Sequence, residues 1–213
     1  MSYTSVRGMI LVIDNQSKFI EDIKQRIEEN NMECRICKHS KAPYLRNLND
    51  VEGVILSGGP GDPYGPLNIT ADLLALMNFD VPTLGLCLGH EIIAVANKGK
   101  ISRLKRQNKM EKVFINKKDD PIFQGLDNDA FIRKKHYRHV TEVPKNFEII
   151  AHSEACPVEA MKHKTKYIYG FQGHPEVSGD QGNIIMDNFF NICKSLKSES
   201  EAIEQLEIKE IPA

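Results

Sequence analysis

No apolar run in this 213-residue chain approaches the roughly 20 residues that a bilayer-spanning helix needs. The N-terminus has no basic segment leading into an apolar one, so no secretory signal is expected. A cytoplasmic location without a membrane partner is the resulting expectation. An excess of one charge is also missing. Lys plus Arg number 28 against 29 Asp plus Glu, a net charge of −1. That balance gives no electrostatic case for binding nucleic acid. One stretch, Lys98 to Lys112, is locally basic and reads as a solvated loop. The sharper alternative is a docking face for a partner protein or a phosphate-bearing ligand.

The cysteine count is five, an odd number that argues against a secreted disulfide framework. Cys34 and Cys37 are spaced C-x-x-C, but no second pair completes a zinc site, and they fall in a strand-like run. They read as small apolar residues. No short-spaced set of His and carboxylates points to a hydrolytic metal, and His39, His152 and His163 stand in no constellation. The chain has no Gly-rich ATP-binding loop, internal repeat or low-complexity block. With 41% hydrophobic and 27% charged residues it reads as one soluble globular domain over 1–213. The core spans about 9–193, and the tail over 197–213 is charged.

What is present is a strand–helix alternation. Met9 to Asp14 is an unbroken apolar run, the pattern of a parallel strand buried on both faces. Phe19, Ile20, Ile23 and Ile27 follow helical spacing, and Met32 to Lys38 and Gly53 to Leu56 read as strands. Ile69 to Phe79 reads as helix, Val81 to Leu86 as strand, and Leu88 to Asn97 as helix. This rhythm predicts an α/β fold with an open, mostly parallel twisted sheet and helices on both faces. After Gly99 the segments Glu111–Asn116, Ala130–Lys134, Phe147–His152 and Val158–Lys162 are short and strand-like. They predict small antiparallel additions covering one side of the sheet. Tyr167 to Gln172 returns to the core, and Gly182 to Leu196 reads as the last helix.

Between the fourth strand and its helix lies Gly85-Leu86-Cys87-Leu88-Gly89. A nucleophile flanked by glycines at such a step is forced into a tight turn that lifts it above the sheet. The helix N-terminus behind it carries partial positive charge, which favours a thiolate. Far downstream, His174-Pro175-Glu176 supplies a base and a carboxylate to orient it. In an elbow of this kind the Leu88 N–H is the natural first donor to an oxyanion. Gly59, on the loop after the third strand, offers the second.

Three motifs in this order resemble the class I glutamine amidotransferases. They are Leu56-Ser57-Gly58-Gly59-Pro60-Gly61, Gly85-Leu86-Cys87-Leu88-Gly89-His90 and His174-Pro175-Glu176. The resemblance runs from about Met9 to Cys193 and implies a flavodoxin-like sheet. Within the class the chain is most similar to the stand-alone amidotransferase subunit of archaeal-type GMP synthase. Ser57-Gly58-Gly59-Pro60 carries that likeness, with Ala151 to Met161 and Val177 after the third motif. It implies hydrolysis of L-glutamine through a Cys87 thioester, with His174 as base and Glu176 as orienter. Ammonia would pass to a separate ATP-pyrophosphatase (synthetase) subunit that converts XMP to GMP. No cofactor is expected in this chain; ATP and Mg belong to the partner.

By the same resemblance Gly58, Glu91 and His136 line the substrate pocket. His136 belongs to a segment that in the family reads Ser-His-x-Asp-x-Val; here Lys135 and Arg138 replace the Ser and the Asp. Glu91 stands where the family has Gln, and a carboxylate one helical turn from Cys87 would oppose thiolate formation. Gly173 stands where the family has Phe, which would remove an aromatic wall and add backbone freedom. These departures keep other readings open. One is the amidotransferase subunit of anthranilate or aminodeoxychorismate synthase. Another is a catalytically impaired regulatory or binding protein. A cysteine stress protein or chaperone on a similar sheet is the remaining alternative, and it would lack the His-Pro-Glu step.

Overall fold

A computed structural model describes residues 8–38, 41–42, 45 and 48–209. His39 and the last four residues of the charged tail lie outside the described set. The parallel strands are β1 (Met9–Asp14), β2 (Glu33–Lys38), β3 (Val51–Leu56), β4 (Thr83–Leu86) and β9 (Ile168–Phe171). The helices are α1 (Ile20–Glu29), α2 (Pro66–Asn78), α3 (Leu88–Ala96) and α4 (Gly179–Lys209).

The apolar run of β1 has no polar alternation because both of its faces are covered. Ile10 and Val12 pack with Ile23 and Ile27 of α1 and Phe189 and Phe190 of α4. Leu11 and Ile13 pack on the other side with Ala71 and Ala75 of α2 and Ile93 of α3. The helices therefore lie on both faces, as the alternation predicts.

Four antiparallel strands complete the sheet: β5 (Lys100–Ile115), β6 (Asp129–Glu142), β7 (Phe147–His152) and β8 (Ala160–His163). The order is β2-β1-β3-β4-β9-β8-β7-β5-β6, with β2 through β9 parallel and the rest antiparallel. The parallel part has the flavodoxin-like order, whose ligands sit beyond the carboxyl ends of the strands.

Three expectations are corrected here. The antiparallel strands do not cover one side of the sheet; they continue it from β9 outward. The basic stretch is not a loop: most of it is β5, paired with β6 from Lys100↔Glu142 to Phe114↔Asp129. Most β5 side chains are exposed on both faces, so the sequence has no apolar alternation to mark a strand. The last helix does not stop at Leu196 but runs on to Lys209. Its extension is polar, with pairs such as Lys197–Glu201 at 3.7 Å, so apolar periodicity could not find it.

Candidate active site

Leu86 ends β4 and Leu88 begins α3, so Cys87 alone makes the turn. Its φ of 50° and ψ of −99° lie outside the ordinary regions for a residue with a side chain. The turn is tight enough that a Cβ on Gly89 would sit 2.1 Å from the Leu56 carbonyl oxygen. Cys87 N–H donates to the Phe171 carbonyl at 2.8 Å, which ties the elbow to β9.

His174 follows β9 and precedes a short 3-10 turn, Pro175–Val177. Its Nδ1 lies 2.9 Å from Glu176 Oε1, and the Cys87 side chain is near enough to act on the ring. All three side chains are buried. Burial disfavours the imidazolium, but the Glu176 carboxylate and the Cys87 sulfur outweigh it and lift the His174 pKa to about 10. That polarity suits a thiolate–imidazolium pair. Four other cysteines lie elsewhere in the fold. All are free, and burial pushes Cys34 up to about 11, Cys156 up to about 12, and Cys37 and Cys193 upward.

Gly58 lies under the pair: a Cβ there would be 2.9 Å from His174 Cε1 and 3.4 Å from Cys87 Cβ. Gly59 lines the cavity that opens at Cys87. Among the described residues its N–H has no backbone acceptor. Leu88 is the first residue of α3, so its N–H has no intrahelical acceptor either. The two amides are free to meet a developing oxyanion.

The cavity measures about 310 Å³ and is walled by residues after β1, after β3, and on β5 and β6. Its charged lining residues are Lys18, Arg106 and Lys135, with no carboxylate among the described lining. His136 lines it. Its Nδ1 faces the Arg138 carbonyl at 2.7 Å, and burial pushes its pKa down to about 4. A neutral ring with Nδ1–H engaged leaves Nε2 as an acceptor.

Neither Glu91 nor Gly58 is among the residues that line the cavity. Glu91 Oε2 accepts from Arg138 Nε at 2.9 Å, and Oε1 accepts from Gln172 at 3.4 Å. Burial raises the Glu91 pKa, and the Arg138 guanidinium pulls the other way. The guanidinium faces this carboxylate, so Glu91 does not set an uncompensated charge beside Cys87. Gly173 is also corrected. A Cβ there would meet Ile132 Cγ2 at 2.4 Å and Lys134 Nζ at 3.4 Å. It gives close approach of β6, not backbone freedom. Lys134 is fully buried and paired with Glu159.

Several functional neighbours carry no motif. Phe19 sets its ring edge-on to His174 at 4.9 Å. His174 N–H donates to the Arg133 carbonyl, and Ser178 Oγ donates to the His174 carbonyl at 2.6 Å. Asn15 braces the oxyanion loop: its N–H donates to Ser57 Oγ and its amide to the Ser57 carbonyl, each at 2.9 Å. The only sequence signal for them is position. Asn15 to Phe19 follow a strand whose carboxyl end must border the site.

The family description "Glutamine amidotransferase class-I" matches residues 11–193. A GMP synthase (glutamine-hydrolysing) subunit of Methanocaldococcus jannaschii is 36% identical over 188 residues, covering 87% of this chain and 97% of that protein. The Pyrococcus abyssi protein of the same name is 35% identical, covering 88% of this chain and 100% of its own. Among solved structures, a candidate GMP synthase subunit from Thermoplasma acidophilum superposes with a TM-score of 0.83 at 26% identity. That match covers 92% of this chain and 98% of the other. The elbow, the buried Cys–His–Glu set and these matches together place the chain in the class-I glutamine amidotransferase family.

Proposed function

We propose that this chain is the glutamine-hydrolysing subunit of a two-subunit GMP synthase. The observation that carries the chemistry is Cys87 in a strained elbow beside a buried His174 whose Nδ1 meets Glu176 at 2.9 Å. The acceptor is supported by the names of the relatives that match over nearly their whole length.

In the proposed reaction the Cys87 thiolate attacks the side-chain amide carbon of glutamine. The oxyanion forms against the Gly59 and Leu88 amides. As the C–N bond breaks, His174 gives its proton to the leaving nitrogen and ammonia departs. Glu176 holds the imidazole in place through Nδ1. Water, deprotonated by His174, then cleaves the γ-glutamyl thioester and releases glutamate with the free thiol. Ammonia passes to a separate synthetase subunit, which uses ATP and Mg to activate XMP.

The proposed setting is cytoplasmic; no helix among the described residues is long and apolar enough to cross a membrane. The test is reconstitution with the synthetase subunit. Glutamine and ammonia should each support GMP formation, and Cys87→Ala should abolish only the first. A synthetase that gains no glutamine-dependent activity from this chain would overturn the assignment.

A further inference from the structure

We propose that Arg138 is a positioning residue that holds the two oxyanion amides in register, with Glu91 as its counter-ion. The inference rests on the glutaminase reading above. The two amides sit on separate pieces of chain: Gly59 on the loop after β3, and Leu88 at the start of α3. Among the described residues, no backbone hydrogen bond joins that loop to the helix. Arg138, projecting from β6, touches both. Its Nε donates to Glu91 Oε2 at 2.9 Å, in the first turn of α3. Its Nη2 donates to the Gly61 carbonyl at 2.6 Å, two residues beyond Gly59. Its Nη1 meets the Tyr137 hydroxyl at 3.1 Å. One planar guanidinium is thus fixed at three points, two of which lie on the segments that bear the proposed oxyanion donors.

The pair is largely out of solvent: the Arg138 side chain is 14% exposed and Glu91 is 2% exposed. In that setting a guanidinium fork is directional in a way that an ammonium is not. Two departures from the family's residues therefore become one device. An arginine where the family has Asp calls for an acid where the family has Gln. Each alone leaves a buried charge facing nothing or facing its like.

The test measures glutamate release by the full chain in complex with its synthetase, alongside iodoacetamide alkylation of Cys87, which needs no oxyanion hole. Arg138→Ala should lower kcat about 10²-fold, the scale of a misplaced donor, with KM moving less than about threefold. Alkylation is read in Arg138→Ala combined with Glu91→Gln, where no uncompensated carboxylate is left beside Cys87, and should stay within about twofold of wild type. Arg138→Lys keeps the charge but reaches only one acceptor, and should fall about tenfold in kcat. Arg138→Asp opposes Glu91 and should be the worst single variant. Adding Glu91→Gln should recover at least about tenfold, because the like-charge contact is gone.

If Arg138→Ala does not fold, Arg138→Lys decides the matter, and an unchanged kcat there overturns the proposal. So does a pure rise in KM, which would make Arg138 a substrate ligand. Equal losses in alkylation and turnover would overturn it too, because the whole site would have moved. A wild-type complex without glutaminase activity overturns both readings. An active wild type with a fully active Arg138→Ala overturns this one alone.

Discussion

The parallel half of the sheet and the β5–β6 arm divide the site between them in different ways. Apart from the edge strand β2, the parallel strands are buried on both faces, and their carboxyl ends lead to Gly59, Cys87 and His174. In the arm β5 is largely exposed while β6 buries alternate residues, the charged residues are mostly cations, and the two strands form one wall of the same cavity. The proposed reacting atoms lie on the half whose motifs match the family. The departures from the family gather where the arm meets that half. Glu91 faces Arg138 of β6, and Gly173 faces Ile132 and Lys134 of β6. A residue that looks like a lesion by itself is thus half of a matched pair across the seam.

The largest effects should come from the parallel half. Cys87→Ala and His174→Ala should each cost at least about 10³-fold in glutamine turnover, and the double variant little more. Ammonia-dependent synthesis in the complex should be untouched. A glutamine-analogue electrophile should label Cys87 and spare the four thiols whose pKa burial raises. Peptide mapping after labelling checks this, and label spread over those four would break the division of labour.

The seam comes next, and its effects should appear in stability. Lys134→Ala leaves Glu159 buried without its cation and should cost about 3–5 kcal/mol of unfolding free energy. The exposed Lys24–Glu28 pair offers the contrast: Lys24→Ala should cost under about 1 kcal/mol. Denaturant titration of both variants would measure the gap. Gly173→Phe restores the family residue, yet it should destabilise by about 1–3 kcal/mol, because β6 already fills the space. A Gly173→Phe chain as stable as wild type would show that β6 yields easily there.

The smallest effect is a titration. His174 has its pKa raised above the ordinary 6.5 to about 10. Its proton should persist through neutral pH. The stability it contributes is full below about 6.5 and is lost as pH rises through about 10. Imidazole NMR should show the transition at high pH. In Glu176→Gln it should move down, because one of the groups that raise it is gone.

These contrasts also explain what the sequence can disclose. Apolar runs such as Met9–Asp14 and the Gly-flanked Cys87 are local signals, and both lead to the right element and the right turn. The parallel order with helices on both faces follows from them. Most of β5 is illegible because a strand solvated on both faces has no period, so Lys98–Lys112 reads as loop, whereas part of the half-buried β6 reads as strand at Ala130–Lys134. In the sequence Glu91 stands against Cys87, its neighbour along the helix. Its actual partner lies 47 residues away on β6, and only the fold brings the two charges together. Asn15 and Phe19 escape notice for the same reason: their meaning comes from strands that end beside them.

The backbone of Cys87 has a consequence for the history of this chain. A side chain at φ 50° and ψ −99° holds the fold in a conformation that costs on the order of 1–3 kcal/mol. Glycine would relieve that cost in a single substitution, at the loss of the thiol. A lineage that no longer needed the thiol would gain stability by letting it go. The cysteine still stands at the least comfortable point of the sheet, and only continued use of its sulfur gives selection a reason to keep it there.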